Sequence, residues 1–211
     1  MNNLGLLYKN ELKDFKKAEK YYLMAIKNKH VNAMFNLGLL YAVEFKDFKK
    51  AEKYYLMAIE NKHVAAMFNL GSLYAGELKD FKKAEKYYLM AIENKHVKAM
   101  FNLGWLYLEH NKKYKEGIKY FSLFLDLIDN INKFQNYITD FFILLISKKQ
   151  YYLAFNLFKK EKYQLKEKIK PVYYALMYLM KDEYPKEYKR MGAEIKETVD
   201  EILEIIKALE K

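Results

Sequence analysis

Residues 30–62 read HVNAMFNLGLLYAVEFKDFKKAEKYYLMAIENK, and the same 33-residue stretch returns at residues 63–95 with only four substitutions. The chain opens inside an earlier copy, since Met1 aligns with Met34, and residues 96–128 form a fourth copy that diverges towards its end. A unit of this length that recurs in register is typical of repeat proteins, in which each copy buries its apolar face against its neighbours. The sequence therefore predicts a stacked array rather than a domain around one central core.

Each unit contains two stretches whose apolar residues recur with the period of a helix, about 3.6 residues. In the second repeat, helix A is predicted over residues 31–43 and helix B over residues 48–60. Asp47 lies just before helix B and is predicted to be its N-cap. Asn61 follows helix B, and we expect it to take the left-handed conformation that ends many helices. The equivalent residues of the other repeats are Asp14, Asp80, Asn28 and Asn94.

Gly38 interrupts helix A, at a position where glycine costs about 1 kcal/mol relative to alanine. A glycine recurs at this position in every repeat, which predicts that helices A and B approach each other closely there. We expect the small residues Ala51 and Ala58 of helix B to face it. The equivalent glycines are Gly5, Gly71 and Gly104.

The composition agrees with an all-α protein. Of the 211 residues, 52% are apolar, only two are proline and seven are glycine, and no segment alternates as a strand does. The chain has no apolar run of about 18 residues and no basic-then-apolar leader, so neither a membrane span nor a secretion signal is predicted. A cytoplasmic location is the default expectation, and the absence of cysteine excludes disulfides.

Three motifs of the second repeat resemble the Sel1-like repeat, a relative of the tetratricopeptide repeat. These motifs are Ala33-x-x-x-Leu37-Gly38-x-x-Tyr41, Asp47-x-x-Lys50-Ala51 and Tyr54-Tyr55-x-x-Ala58. The resemblance covers about residues 1–128 and implies an α-α superhelix, or solenoid, of stacked antiparallel helix pairs. The chain departs from the family pattern in two ways, because the Gly-rich insertion between the helices is absent and lysine replaces the glycine that usually follows helix B. Those lysines are Lys29, Lys62 and Lys95.

Beyond the fourth helix A the repeat pattern fades. Residues that suit a core still recur in the next helix, at Tyr114, Gly117, Tyr120, Phe121 and Leu125. Residues 131–147 and 151–159 are predicted to form a degenerate fifth pair. The core of its second helix is predicted to contain Tyr151, Ala154 and Phe158.

The C-terminal region is predicted to close the array. Pro171 is expected in the first turn of a helix, and Tyr184-Pro185 in a turn. Residues 193–209 form an amphipathic pattern, and a capping helix is favoured over a helix that pairs with another protein.

We expect residues 1–128 to form four repeats, the first of them truncated, and residues 129–211 to continue the same solenoid through the degenerate repeat and the capping helices. An array needs a polar cap at its end, and the segment from Met1 to Tyr8 supplies none. Either the first repeat is naturally abbreviated or the chain is the C-terminal part of a longer protein, and the second interpretation is favoured.

The substitutions between the second and third repeats indicate where a ligand binds. Three of the four lie on helix A at spacings of i, i+7 and i+11, which places them on one face, opposite the core stripe. In superhelices of the resembling families this helix-A face lines the concave groove that holds ligands. The alternative is that any face outside the core drifts freely. The three pairs are Asn32/Ala65, Leu39/Ser72 and Val43/Gly76.

Asn36, Asn69 and Asn102 recur within this changing face, and an amide can both donate to a peptide backbone and accept from it. These asparagines are predicted either to form a ladder along a bound segment or to bond locally between repeats. Trp105 is predicted to be the main anchor, because aromatic residues often dominate binding energy. The other candidate ligand-binding residues are Phe35, Phe68, Phe101, Leu39, Ser72, Lys98 and Glu109.

The recurring histidines invite a metal site. Equivalent positions of stacked repeats should lie too far apart to share one ion, so no metal is predicted. We expect these residues to lie at the turn between units. They are His30, His63 and His96.

The formal net charge of +11 is spread along the chain, and only one of the 38 cations is an arginine, Arg190. Proteins that read phosphates and bases favour arginine, so a nucleic-acid partner is not favoured. Paired lysines on helix B predict a basic ridge, but glutamates lie beside it and a solvated face is the favoured interpretation. The pairs are Lys16-Lys17, Lys49-Lys50 and Lys82-Lys83.

A protein- or peptide-binding scaffold is therefore the leading interpretation of function. No nucleophile elbow or phosphate-binding loop is present, so neither an enzyme nor a cofactor is predicted. A sensor or regulatory array at the end of a multidomain protein is the second interpretation, and a basic nucleic-acid-binding surface is the third. An end of the array would also allow oligomerisation.

Overall fold

The computed structural model describes residues 1–128, 130–160, 165, 169–180, 202–205 and 208. Every secondary-structure element in these residues is helical, and the chain divides into two compact units, Met1–Leu103 and Gly104–Lys211. The prediction of an all-α fold of stacked antiparallel helix pairs is confirmed. The boundary near residue 128, inferred from the repeat pattern, stays a prediction.

The helices of the first unit follow the repeat register, and the division between the units falls within the last of them. They are α1 (Asn2–Asn10), α2 (Phe15–Lys27), α3 (Val31–Val43), α4 (Phe48–Glu60), α5 (Val64–Gly76), α6 (Phe81–Glu93) and α7 (Val97–Glu109). The predicted bounds of helices A and B in the second repeat are confirmed. α1 packs on α2, α3 on α4 and α5 on α6, and α2–α3 and α4–α5 contacts join one pair to the next.

The second unit continues with helices that no longer repeat. They are α8 (Tyr114–Leu127), a 3₁₀ turn (Ile131–Phe134), α9 (Gln135–Ser147), α10 (Tyr151–Phe158) and α11 (Lys170–Leu179). The two helices predicted for a fifth pair are present as α9 and α10, which pack together, although residues 131–134 form the separate 3₁₀ turn. Their assignment as a degenerate repeat stays a prediction. Pro171 lies in the first turn of α11, as predicted. The predicted Tyr184-Pro185 turn lies outside the described residues. Of the predicted final helix, only residues 202–205 and 208 are described, and they are helical.

Asp47 is the N-cap of α4, as predicted. Its Oδ1 accepts a hydrogen bond from the backbone N–H of Lys50 at 3.1 Å, and its Oδ2 lies 3.3 Å from Lys50 Nζ. The backbone bond lowers the pKa of the Asp47 carboxyl, because it stabilises the charged form. Asp14 and Asp80 cap α2 and α6 with the same geometry.

The left-handed residue after helix B is the lysine, and the prediction that placed this conformation at the asparagine is wrong. Asn61 has φ −98° and ψ 25°, whereas Lys62 has φ 60°. The backbone N–H of His63 bonds to the carbonyl of Ala58 at 3.1 Å, as in a Schellman ending, and this pattern requires the residue before His63 to be left-handed. Asn61 instead donates through Nδ2 to the carbonyl of Met57 at 2.9 Å. Asn28 and Asn94 likewise precede left-handed lysines, Lys29 and Lys95.

The recurring glycine of helix A makes room for a tyrosine ring. A Cβ added to Gly38 would lie 2.7 Å from Cδ1 of Tyr55, a separation below 3.0 Å that real Cβ atoms essentially never show. Ala51 and Ala58 are fully buried, but the nearest neighbours of Gly38 are atoms of the Tyr55 ring. The prediction that the alanines face this glycine is therefore corrected. Gly5 and Gly71 meet Tyr22 and Tyr88 in the same way.

In the second unit two glycines bring α7 and α8 together. A Cβ added to Gly104 would lie 2.9 Å from the carbonyl oxygen of Gly117, so here the backbones themselves are close. Phe121 occupies the position that Tyr55 holds in its own repeat. Its ring stacks on that of Phe141 with centroids 3.7 Å apart and planes 5° apart. Burying one phenylalanine contributes about 1.5–3 kcal/mol, so this stack is a substantial part of the core.

Candidate binding surfaces

The helix-A face of the first unit carries stacked pairs of phenylalanine and histidine. Phe35 stacks on His63 with ring centroids 4.6 Å apart, and Phe68 stacks on His96 at 4.5 Å. His63 precedes α5, and its Nδ1 accepts a hydrogen bond from the backbone N–H of Ala66 at 3.2 Å. Burial lowers the pKa of His63 and His96, which favours their neutral forms. The predicted position of the histidines at the turn between repeats is confirmed. Each of these two rings connects its repeat to the preceding one.

The asparagines of this face form hydrogen bonds between repeats. Asn36 donates through Nδ2 to Oδ1 of Asn2 at 3.1 Å. Asn102 donates through Nδ2 to the hydroxyl of Tyr88 at 3.3 Å. These bonds correspond to the local role, one of the two alternatives that the sequence leaves open. All three recurring asparagines of α3, α5 and α7 remain half-buried, so part of each amide is accessible.

Two buried tyrosine hydroxyls are hydrogen-bonded to the recurring asparagines, and the sequence analysis did not predict them. Tyr55 forms a hydrogen bond with Asn69, and Tyr88 donates to Oγ of Ser72 at 3.3 Å. Burial raises the pKa of both tyrosines, to about 12 for Tyr55, and the hydrogen bonds only partly offset this rise. A tyrosine that recurs in a buried stripe is the signal that could have revealed them, because a buried hydroxyl needs a partner.

The positions that vary between repeats are partly accessible. Leu39, Ser72 and Trp105 occupy equivalent places in α3, α5 and α7, and all three are half-buried. Ser72 Oγ also lies 3.5 Å from Nδ2 of Asn102, so the serine takes part in the contact between repeats. The structure thus brings the predicted residues Ser72 and Asn102 together.

Two predicted site residues near the start of α7 differ in exposure. Lys98 is exposed, whereas Phe101 is only 8% exposed and belongs to the core. Phe101 therefore offers little surface to a ligand, and its assignment to the binding face stays a prediction. The fourth repeat lacks the histidine on which Phe35 and Phe68 stack, since the sequence has Asp129 at that position.

Trp105 lines a cleft of about 540 Å³ in the second unit, between α7 and α9. Glu109 lies one turn further along α7 and lines the same cleft, so the structure brings these two predicted residues together. Ile143 and Leu144 of α9 supply buried apolar side chains. The remaining residues of the lining are His110, Asp140, Lys148 and Ile205. An apolar floor with charges of both signs suits an apolar side chain that is flanked by polar groups.

The predicted lysine ridge on helix B is partly engaged within the protein. Lys50 Nζ lies 4.9 Å from the ring centroid of Tyr41, a cation–π contact, and also pairs with the Asp47 cap. The hydroxyl of Tyr41 donates to Glu19 of the preceding repeat. Burial, and after it this bond, raise the pKa of Tyr41. Lys17 and Lys83 lie over Tyr8 and Tyr74 in the same manner.

In the described part of the chain, no three His, Asp or Glu side chains are grouped so as to hold a metal ion. Nor does any helix of those residues have both the length and the apolarity needed to cross a membrane.

Helix hairpins that recur every 33 residues and bond from one repeat to the next define a helical-repeat protein. Comparison with family models identifies the repeats. A model described as Sel1 repeat matches residues 64–96, and models described as Tetratricopeptide repeat match residues 7–63 and 98–127. The repeats between residues 7 and 127 are thus of the Sel1-like, tetratricopeptide type. No match was found among curated proteins.

Two solved structures share the fold. A Sel1 repeat protein from Oxalobacter formigenes is 26% identical with a TM-score of 0.52, over 67% of this chain and 62% of its own. The protective antigen c5321 of uropathogenic Escherichia coli, which displays an SLR fold, is 16% identical with a TM-score of 0.50, over 98% of this chain and 44% of its own. The chain therefore spans less than two thirds of the length of either solved chain, and the second likeness concerns the fold alone.

Proposed function

We propose that this chain is a protein-binding scaffold and that the Trp105 cleft anchors a peptide segment of its partner. Sel1 and tetratricopeptide repeats are generally protein-interaction scaffolds. The observation that carries the proposal is that the half-buried Trp105 lines one cleft with the buried Ile143 and Leu144. An indole that lies at the surface of an apolar cleft can bury much further apolar area on binding, and residues of this kind are often hot spots.

The polar rim of the cleft restricts which segment it accepts. Glu109 and Asp140 supply carboxylates, and Lys148 supplies an ammonium group. A partner segment with a large apolar residue and a neighbouring basic residue would place its charge near the two carboxylates. The proposal is therefore a segment with an apolar anchor beside a lysine or arginine.

The helix-A face of the first unit is proposed as a second contact surface for the same kind of partner. Its accessible groups are the half-buried phenylalanines, Phe35 and Phe68, and the amides of Asn36 and Asn69. The bonds that these asparagines make within the array weaken the ladder hypothesis, because part of each amide is already used. We expect this surface to add less to affinity than the Trp105 cleft.

The observed contacts support a protein partner over nucleic acid. Lys17, Lys50 and Lys83 each pair with an aspartate cap and lie over a tyrosine ring, so part of their charge is already balanced within the protein. The fold is also typically a non-catalytic scaffold, and we assign no reaction to it. A regulatory array within a larger protein would use the same binding surfaces.

The test is an affinity capture of partners from lysate, followed by a titration of the identified partner against the wild type and Trp105→Ala. We expect Trp105→Ala to weaken binding by about 30-fold or more, the loss of a typical hot spot of about 2 kcal/mol. Far-UV circular dichroism should show unchanged helicity, because Trp105 is only half-buried.

Tyr152→Ala is the matched control. Tyr152 is a large aromatic residue in the same unit, it is 63% exposed, and it lies outside the cleft. Its variant should bind like the wild type. Equal affinity of Trp105→Ala and Tyr152→Ala for the partner would refute the assignment of the cleft.

A further inference from the structure

A second cleft lies on the helix-B side of the first unit, between α2 and α4, and the preceding proposal does not use it. Its volume is about 670 Å³. Five of the lining side chains are apolar or aromatic, namely Leu23, Met24, Ile26, Tyr54 and Met57. Four more are lysines, Lys16, Lys20, Lys27 and Lys53, and the only lining carboxylate is Glu19.

The apolar part of this cleft is accessible. Leu23 and Met24 are each 36% exposed, and both count among the large exposed apolar side chains of the described residues. Their equivalents in α4, Leu56 and Met57, are less exposed. Two adjacent apolar residues at the surface of one helix, above a further apolar wall from α4, can bury substantial area against a partner.

The charge of the cleft is one-sided. Glu19 accepts a hydrogen bond from the hydroxyl of Tyr41, so its carboxylate is already engaged. Lys16 and Lys53 lie over aromatic rings, 5.2 Å from the ring centroid of Phe45 and 5.6 Å from that of Tyr54, and no carboxylate besides Glu19 lines the cleft. An apolar floor within a rim of four ammonium groups favours a ligand that is apolar on one side and acidic at its edges.

We propose that the α2–α4 cleft binds an acidic amphipathic helix of a partner protein. Such a helix lays apolar residues at i, i+3, i+4 and i+7 into a groove between two helices and presents carboxylates to a basic rim. Nucleic acid fits less well, because Tyr54 is already stacked on Tyr41 with centroids 5.6 Å apart and no arginine lines the cleft. This surface is separate from the Trp105 cleft, so either proposal can fail without the other.

The repeats themselves supply the matched variant. α2 reads FKKAEKYYLMAIK, whereas α4 and α6 both read FKKAEKYYLMAIE, so Lys27 is the single difference and Glu60 and Glu93 replace it. Lys27→Glu therefore gives α2 a sequence that already folds twice in this chain. The reciprocal Glu60→Lys gives α4 the sequence of α2.

The experiment is a fluorescence anisotropy titration of the whole chain at about 0.15 M salt. The probe is a fluorescein-labelled peptide of about 14 residues that alternates pairs of glutamate and leucine, so that the leucines share one helical face. We expect the wild type to bind it, Lys27→Glu to weaken binding about tenfold or more, and Leu23→Gln to weaken it similarly. Glu60→Lys should bind at least as tightly as the wild type, and Trp105→Ala should leave the affinity unchanged.

Three results would each overturn the proposal. One is equal affinity of the wild type and Lys27→Glu for the peptide. Another is equal binding of a peptide in which lysine replaces every glutamate, which would show that charge does not select the ligand. The third is a wild type that ignores the peptide but binds vesicles of anionic phospholipid, which would assign the cleft to a membrane surface.

Discussion

The second and third repeats differ from the fourth in how they use the same buried position. The rings of Tyr55 and Tyr88 pack against a glycine, and their hydroxyls form hydrogen bonds with an asparagine amide of the next repeat. Phe121 holds the equivalent place in the fourth repeat and stacks on Phe141 instead. In the second and third repeats this position thus makes a directional polar bond to the next repeat. In the divergent fourth repeat it makes an apolar stack instead.

This difference explains why one part of the chain kept its sequence and the other did not. A ring that fills the space of a missing Cβ and also accepts an amide hydrogen bond depends on three residues at once, here Gly71, Tyr88 and Asn102. Such a set tolerates few changes. A stack of phenylalanines tolerates many apolar replacements of similar volume, so the divergent unit could lose the repeat pattern and keep a core.

The largest effect is expected where the two helix backbones approach most closely. Gly117→Ala would give α8 the alanine that α4 has at this position, yet its Cβ would lie 2.9 Å from the Gly104 carbonyl oxygen and 2.1 Å from Leu108 Cδ1. We expect a loss of about 2–3 kcal/mol in the free energy of unfolding, measured by urea titration. Gly76→Ala is the control, since nothing lies within 4 Å of its Cβ, and it should be neutral or stabilising. Equal effects at both positions would contradict the close approach.

The second effect tests whether the apolar stack excludes a hydroxyl. Phe121→Tyr restores the tyrosine of the regular repeats, but Phe121 is fully buried against Phe141 and Phe142. A hydroxyl buried there without a partner should cost about 1–3 kcal/mol in unfolding free energy. Phe121→Leu, which adds no polar atom, separates this cost from that of a change in shape. A stable Phe121→Tyr protein would show that the divergent unit can accept the polar bond.

The third effect compares two tyrosines of the regular array. Tyr88→Phe removes the bonds to Ser72 and Asn102 and should cost about 1 kcal/mol. The hydroxyl of Tyr22 is buried and makes no hydrogen bond among the described residues, so Tyr22→Phe should be neutral or stabilising. Urea midpoints of the two variants measure the difference. If both lose the same stability, the hydroxyl bond does not connect the repeats.

The sequence predicted the architecture because its strongest signals are local. Helix bounds follow from the apolar period and the Asp47 cap, and both were confirmed. The identity of the residue facing Gly38 could not be predicted, because Tyr55 and the alanines all lie on the buried stripe and only side-chain orientation separates them. The left-handed residue was placed one position early, because asparagine favours this conformation and lysine does not.

The candidate site was harder to predict than the fold. Sequence reasoning put Trp105 and Glu109 on one face, and the structure places both in one cleft. Their partners from α9, Ile143 and Leu144, come from a segment without repeat register, so no comparison between repeats could reveal them. The α2–α4 cleft could not be predicted, because it depends on how far the apolar side chains of α2 are exposed. Leu23 is exposed and Leu56 is less so, although both have the same sequence surroundings.

The fourth prediction concerns a strain that both parts of the chain share. Left-handed lysines end helices throughout, including Lys62 with φ 60° in the first unit and Lys149 with φ 59° in the second. Glycine adopts this conformation without the steric cost that a Cβ brings. Lys62→Gly and Lys149→Gly should each raise unfolding free energy by about 0.5–1 kcal/mol. Lys53→Gly, in the middle of α4, is the control and should lower it by about 1 kcal/mol.

The smallest effect is a pH dependence confined to the regular repeats. Burial lowers the folded-state pKa of His63 and His96 below the unfolded value, so the unfolded chain binds more protons as pH falls. Stability is therefore greatest above the ordinary histidine pKa of about 6.5 and declines as pH falls through it, until both states are protonated.

Each ring also caps or begins a helix and stacks on a phenylalanine, and protonation of Nδ1 would remove the acceptor that His63 offers to Ala66. Urea titrations of the wild type between about pH 7.5 and 5 should show this decline in the free energy of unfolding. The double variant His63→Asn, His96→Asn should show a shallower decline, because asparagine supplies a cap that does not titrate. An unchanged slope in the double variant would mean that the carboxylates alone set the pH dependence, and the histidine stacks would then be no part of what distinguishes the regular repeats.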